Sequence, residues 1–223
     1  MKKVLIFVTN HATLGETKEE NGTFSPELTH ALHVFLEAGF DYDLVSIKGG
    51  KAPVYGTDIE DDAVNAKILA NETFQQRINN TIPAADIDVN DYAGIFYPGG
   101  FGLLSDLATN EAVAKMSAQH YEQGGVLAAV CHGPAGLLPI TLSNGEKLLA
   151  DKTVTGFTRE EEVDYGTIDN IPFLLEESLA RAAKQFRKGQ PWGELVVEDN
   201  RVITGQNPAS AHAVAVALVK HLL

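Results

Sequence analysis

Gly124-Gly125-Val126-Leu127-Ala128-Ala129-Val130-Cys131-His132-Gly133-Pro134 is the stretch on which the reading of this chain turns. Five consecutive apolar residues without polar alternation, Val126 to Val130, read as a strand buried on both faces, the pattern of a mostly parallel sheet covered by helices. The two glycines before it stop a preceding helix, and Pro134 suits the first turn of a following one. Cys131 therefore stands at a sharp strand-to-helix turn, the geometry of a nucleophile elbow that lifts one side chain above the sheet. Gly133 leaves room for close backbone approach. A helix N-terminus favours the thiolate, so the pattern predicts a thiol pKa lowered from about 8.5 toward 3.5–7.5. An unpaired cysteine taken alone is more often a buried, inert residue. Here the strand, the turn, the adjacent His132 and a separate glycine loop agree on a nucleophile.

On either side of this stretch, short β-branched runs alternate with helical periodicities. Lys3–Val8, Tyr42–Ile47, Asp91–Tyr97 and Thr153–Phe157 read as strands, and Leu195–Val197 with Arg201–Thr204 as a hairpin across Glu198-Asp199-Asn200. Thr9–Phe24 reads as a loop. A helix follows, with Ser25 as cap, Pro26 at N1 and Glu27 near the positive end of the dipole, closed by Gly39. Further helices are expected over Asn110–Gln123, Ile171–Phe186 and Pro208–Leu222, and a more polar one over Asp62–Asn79. The fold class is α/β: a flavodoxin-like, doubly wound, mostly parallel sheet with helices on both faces and ligands beyond the carboxyl ends of the strands. No repeat or Ser/Gly-rich linker interrupts residues 1–223, which read as a single domain with a small cap region around 49–90.

The formal net charge of −13 leaves no basic patch to release counterions from phosphate, so neither nucleic acid nor an anionic membrane is expected as a partner. One cysteine cannot close an internal disulfide, which points to a reducing compartment. After Met1-Lys2-Lys3 the apolar run Val4–Val8 is shorter than the ~7–15 residues of a signal peptide's hydrophobic region. No segment approaches the ~20 apolar residues of a membrane span. The expected location is cytoplasmic.

Two further elements could serve Cys131. Pro98-Gly99-Gly100-Phe101-Gly102 follows a strand, and a glycine turn there can aim backbone N–H groups at a developing oxyanion. Standing alone it is only a tight turn; one strand before the cysteine, the amides of Gly100 and His132 form an oxyanion hole. Glu27 could face the cleft and exchange a proton with Cys131, or could merely complement its helix dipole; periodicity alone does not separate the two. His30 and His33, at i,i+3 without further ligands, do not make a metal site; Pro191 and Trp192 read as structural, with lining of the entrance as the alternative. No GxxxxGK[ST] or GxGxxG motif is present, so no nucleotide or other cofactor is expected.

Cys131-His132-Gly133-Pro134, the Gly99-Gly100 turn with Asp106-Leu107, Thr155-Gly156-Phe157-Thr158, and Thr204-Gly205-Gln206-Asn207-Pro208-Ala209-Ser210 occur in this order along the chain. Together they resemble the class I glutamine amidotransferase-like superfamily that holds the PfpI-type proteins and the parkinsonism-associated deglycase. The nearest branch is the heat-shock chaperone and glutathione-independent glyoxalase (glyoxalase III) group, and the resemblance spans essentially the whole chain. It implies Cys131 as nucleophile, His132 beside it, and Glu27 as the glutamate of the first helix, through Gly22-Thr23-Phe24-Ser25-Pro26-Glu27 and His30. The acidic partner of the histidine falls on Glu162, with Glu160 and Glu161 alongside. Members of the branch commonly carry histidine within the glycine turn, where this chain has Phe101, a departure that bears on substrate preference.

The resemblance implies a cofactor-free, metal-free lyase that converts methylglyoxal or related 2-oxoaldehydes to 2-hydroxy acids such as D-lactate through a cysteine hemithioacetal. It also implies a homodimer, with stress-chaperone binding of unfolded client proteins or deglycase activity alongside. Two rivals stay open: a chaperone without catalysis, and a cysteine amidase or peptidase-like hydrolase.

Overall fold

The computed structural model describes residues 2–223. In chain order its strands are β1 (Lys3–Phe7), β2 (Thr23–Phe24), β3 (Asp41–Ser46), β4 (Val54–Tyr55), β5 (Ile82–Pro83), β6 (Tyr92–Tyr97), β7 (Val126–Val130), β8 (Thr153–Val154), β9 (Gln185–Phe186), β10 (Val196–Asp199) and β11 (Val202–Gly205). Its α-helices are α1 (Ser25–Glu37), α2 (Ala63–Leu69), α3 (Glu72–Asn79), α4 (Gly102–Ser105), α5 (Glu111–Glu122), α6 (Arg159–Tyr165), α7 (Leu175–Ala182) and α8 (Ala211–Leu222). Seven strands form one sheet in the order β10-β11-β7-β6-β1-β3-β5. Every pairing in it is parallel except β10 with β11.

All five residues of β7 are buried, so both faces of the sheet are covered there, as its unbroken apolar run requires. α1 and α8 pack against one another, α8 lies on β7 and β11, and α5 packs against β7 and the turn that follows it. Phe35 of α1 meets Phe96 of β6 edge-on, with ring centroids 5.6 Å apart. From β1 the chain runs outward to β3 and β5, then returns to β6 on the other side of β1 and continues to β7. Such a reversal opens a crevice at the carboxyl ends of the central strands, the usual ligand position in doubly wound sheets. Gly99-Gly100 leave the end of β6 and Cys131 the end of β7, which places both at that crevice.

Several local boundaries depart from the sequence reading. Phe24, not Ser25, is the N-cap of α1, and the Ser25 hydroxyl instead donates to Asn65 Oδ1 at 2.6 Å. The Thr9–Phe24 loop ends in β2, which pairs with β4. The polar stretch 62–79 is two helices, because Asn71 stops one and caps the next through a bond from the Phe74 amide at 3.0 Å. Within residues 49–90, β5 extends the central sheet beside β3, and Ile68, Phe74 and Ile78 join the main apolar cluster. The 171–186 helix shortens to α7, with Gln185–Phe186 drawn into pairing with β8. The hairpin turns at Asn200, whose φ of 58° is left-handed. Among the described residues no helix is long and apolar enough to cross a membrane.

Candidate active site

Cys131 sits at φ 60°, in the left-handed region that non-glycine residues seldom occupy. The strain is held by its neighbours: the Cys131 amide donates to the Gly205 carbonyl at 3.0 Å, and its carbonyl accepts from the Phe157 amide at 2.9 Å. The elbow expected from the sequence is therefore present. A one-turn 3₁₀ helix, Gly133–Leu137, follows it.

His132 Nδ1 lies 3.4 Å from Cys131 Sγ, and its Nε2 lies 2.6 Å from Glu162 Oε1. Both side chains of that second pair are buried. With Glu162 ionised, Nε2 carries the proton, which leaves the Nδ1 lone pair facing the thiol. The Thr167 hydroxyl donates to Glu162 Oε2 and holds the carboxylate from behind. Above and below, the His132 ring packs between Phe101 and Phe157, each with ring centroids 4.5 Å away. Nothing in the sequence reading had singled out Thr167 or Phe157 for this support.

The three adjacent glutamates have separate situations. Glu160 is exposed. Glu161 closes a capping box on α6 with Thr158, accepting from the Thr158 amide and hydroxyl at 2.9 Å each. Its other oxygen accepts from the Trp192 amide, Gln206 Nε2 and Asn207 Nδ2 at 2.8, 3.1 and 2.8 Å. Glu162, one residue on, is the one that meets His132.

Glu27 lies on the first turn of α1 and is completely buried. Its carboxyl faces Cys131 and the Gly99 backbone, yet neither oxygen completes a hydrogen bond of ordinary geometry. Burial pushes its pKa up from 4.5 to about 8, against the lowering influence of Cys131 and the Gly99 backbone, with the Glu161 charge adding to the rise. Gly99 is needed for this approach, since a Cβ there would come 2.0 Å from Glu27 Oε2 and 2.7 Å from Cys131 Cβ. Gly100, at φ 119°, abuts Gly22 and Phe24, and the Gly99 carbonyl accepts from the Phe24 amide at 3.0 Å. That bond and close approach tie the glycine turn to the start of α1. The amides of Gly100 and His132 enter no hydrogen bond among the described residues.

One expectation is overturned. The thiol pKa is raised well above its ordinary value, first by burial and then by the carboxylates of Glu27, Glu161 and Glu162. Cys131 is 4% exposed, and burial, reinforced by three buried acids, outweighs a short helix N-terminus. Cys131 and Glu27 are coupled: Glu27 pushes the thiol's proton affinity up, while the thiol, facing the carboxyl, lowers that of Glu27.

A cavity of about 30 Å³ opens on the thiol and is walled by Phe24, Tyr55, Phe101, Phe157, Tyr165 and Trp192, together with His132 and Pro208. Trp192 lines it at a left-handed φ of 62°, the alternative to the structural reading of that residue. A larger groove of about 620 Å³ lies between the 51–57 loop and α3 and contains none of these residues. Among the described residues no group of three or more His, Cys, Asp or Glu side chains is arranged to hold a metal ion, and His30 instead bonds Asp62 at 2.9 Å.

A family model described as DJ-1/PfpI matches residues 19–221. The chain belongs to the DJ-1/PfpI family. It is 31% identical to "Glyoxalase 3" of Candida albicans, over 95% of this chain and 94% of that protein. It is 30% identical to "Glutathione-independent glyoxalase HSP31" of Saccharomyces cerevisiae, over 99% of this chain and 98% of that protein. The solved structure of the Rapid Encystment Protein 24 kDa of Francisella tularensis superposes with a TM-score of 0.95 at 33% identity, covering 100% of both chains.

Proposed function

We propose that this chain is a glutathione-independent glyoxalase that converts small 2-oxoaldehydes such as methylglyoxal to 2-hydroxy acids. The observation that carries the reading is the Cys131 thiol on a left-handed elbow between two proton-handling groups, His132 Nδ1 at 3.4 Å and the buried Glu27 carboxyl. The full-length similarity to proteins named as glyoxalases supports it.

In the first step the Cys131 sulfur bonds to the aldehyde carbon as the thiol proton passes to ionised Glu27 or to His132 Nδ1. Because burial keeps the thiol protonated, this transfer accompanies attack; no standing thiolate is required. The oxygen of the new hemithioacetal lies within the reach of the unused Gly100 and His132 amides, which serve as the oxyanion hole. The proton on the first carbon then moves to the second through an enediol, carried by Glu27 or His132, which leaves a 2-hydroxyacyl thioester on Cys131. Water hydrolyses that thioester, releasing the 2-hydroxy acid and restoring the thiol. Glu162, braced by Thr167, keeps the His132 ring in the Nε2–H tautomer.

A cavity of about 30 Å³ offers no groove for a peptide, which favours a small aldehyde over the peptidase-like alternative. Cys131→Ser is expected to abolish hydroxy-acid formation from methylglyoxal while the circular dichroism spectrum stays native; full turnover by that variant refutes the assignment. The chaperone reading draws on Val163, Tyr165 and Trp192, three exposed apolar side chains, the last two of which line the cavity. It predicts that Cys131→Ser still suppresses aggregation of a denatured client. A single domain acting as a cytoplasmic homodimer belongs to the same reading, and light scattering of the purified chain tests its assembly.

A further inference from the structure

The wall around Cys131 bears on which aldehydes the site accepts, a question that rests on the glyoxalase reading. Six aromatic rings enclose the thiol, and no lysine or arginine lines the cavity. The polar atoms of those walls are largely committed elsewhere. His132 uses Nε2 on Glu162 and Nδ1 on the sulfur. Trp192 Nε1 donates to Asp164 Oδ2 at 3.2 Å, and the Phe101 backbone engages the Tyr55 phenol. Tyr165 lies along Phe101 at 5.8 Å and is 54% exposed, so its hydroxyl stands at the solvent rim of the wall. Phe101 and Phe157 offer no hydrogen-bonding group. Behind the thiol stand the buried carboxylates of Glu161 and Glu162, whose charges oppose any further anion.

We infer that this site selects 2-oxoaldehydes with a short apolar tail and rejects those whose tail carries a hydroxyl or an anionic group. The two carbonyl oxygens have donors in the Gly100 and His132 amides and in Glu27 when it is protonated. A hydroxyl further along the tail, short of the Tyr165 rim, faces a wall dominated by ring carbon and loses hydrogen bonds to water without full replacement. Apolar pockets discriminate against one added hydroxyl by roughly 10- to 100-fold. The small volume sets a second limit: a longer tail must displace Tyr165 or Trp192, the exposed rings of the wall.

The test compares 2-oxobutanal with 3-hydroxy-2-oxopropanal, which have equal numbers of heavy atoms, so tail polarity differs while size does not. With concentrations corrected for aldehyde hydration, kcat/KM for 2-oxobutanal is expected to exceed that of the hydroxylated aldehyde by about 10- to 100-fold. Parity within about twofold overturns the inference. Phe101→His places an N–H donor on the wall with a ring of similar shape, and is expected to shrink the ratio severalfold; an unchanged ratio removes Phe101 as its source. Binding is read separately from turnover, because Trp192 is the chain's single tryptophan and stands edge-on to Phe157 at 5.6 Å. If Trp192 fluorescence distinguishes the two aldehydes but neither yields a hydroxy acid, selectivity stands and the glyoxalase reading falls. If both are turned over with equal efficiency, the glyoxalase reading stands and the selectivity falls.

Discussion

Replacing Glu27 by glutamine should make the folded chain more stable at neutral pH while disabling it as an enzyme. Glu27 is fully buried, and its pKa rises from 4.5 to about 8 on folding, chiefly because burial penalises the carboxylate. Below pH 4.5 folded and unfolded chains both hold this proton, and the group is neutral in its effect. Between pH 4.5 and 8 the unfolded chain releases the proton and the folded chain keeps it, so stability falls as pH rises across that window. The loss is about 1.4 kcal/mol per pH unit, which comes to about 3 kcal/mol by pH 7. Glutamine has the same shape and no such titration. It keeps a carbonyl for the Gly99 backbone, so the variant should recover most of that amount at pH 7 and little at pH 5. In a chain of this length, about 3 kcal/mol corresponds to roughly 6–12 °C in Tm. Urea unfolding of the wild type and Glu27→Gln at pH 5 and pH 7.5 reads the difference directly. An equal offset at both pH values, or a variant less stable than the wild type at pH 7.5, refutes a buried carboxyl with a raised pKa. Unchanged turnover by the variant would return Glu27 to a purely structural place.

Three other outcomes follow from the same geometry. Glu27 accepts the thiol proton only when ionised, so kcat/KM should climb about tenfold per pH unit toward pH 8 and level off above it; a profile flat from pH 6 to 8 contradicts this. Glu162→Gln should lower kcat by roughly 10²-fold or more with little change in KM, because the His132 tautomer is no longer enforced; stopped-flow turnover with wild-type kcat would remove Glu162 from the relay. Gly99→Ala drives a methyl to within 2.0 Å of Glu27 Oε2, so turnover should collapse with a stability loss of about 1–3 kcal/mol, read by urea titration.

The glutamates of α6 show where the sequence could have been read further. Thr158 followed three residues later by Glu161 is the pattern of a capping box, and the structure contains that box. Applying it would have assigned Glu161 to the helix start and left Glu162 free for His132. The asparagine at position 71 is a similar start signal, missed within a polar stretch where apolar periodicity carries little weight. The short strands β8 and β9, by contrast, have no local signature. They exist because Thr153–Val154 and Gln185–Phe186 pair across 30 residues of chain.

Local sequence was enough for the sheet and the elbow, because burial on two faces, glycine turns and a strand-to-helix junction each leave a mark within ten residues of themselves. The acidity of the thiol left no such mark. A nearby helix start argued for a thiolate, but burial of the sulfur, and then three acidic side chains from two helices converging behind Cys131, reverse the sign. The aromatic enclosure was equally invisible, since its rings come from segments between Phe24 and Trp192 that share no periodicity. Electrostatic potential and cavity shape are sums over neighbours in space, and only the folded chain determines who those neighbours are.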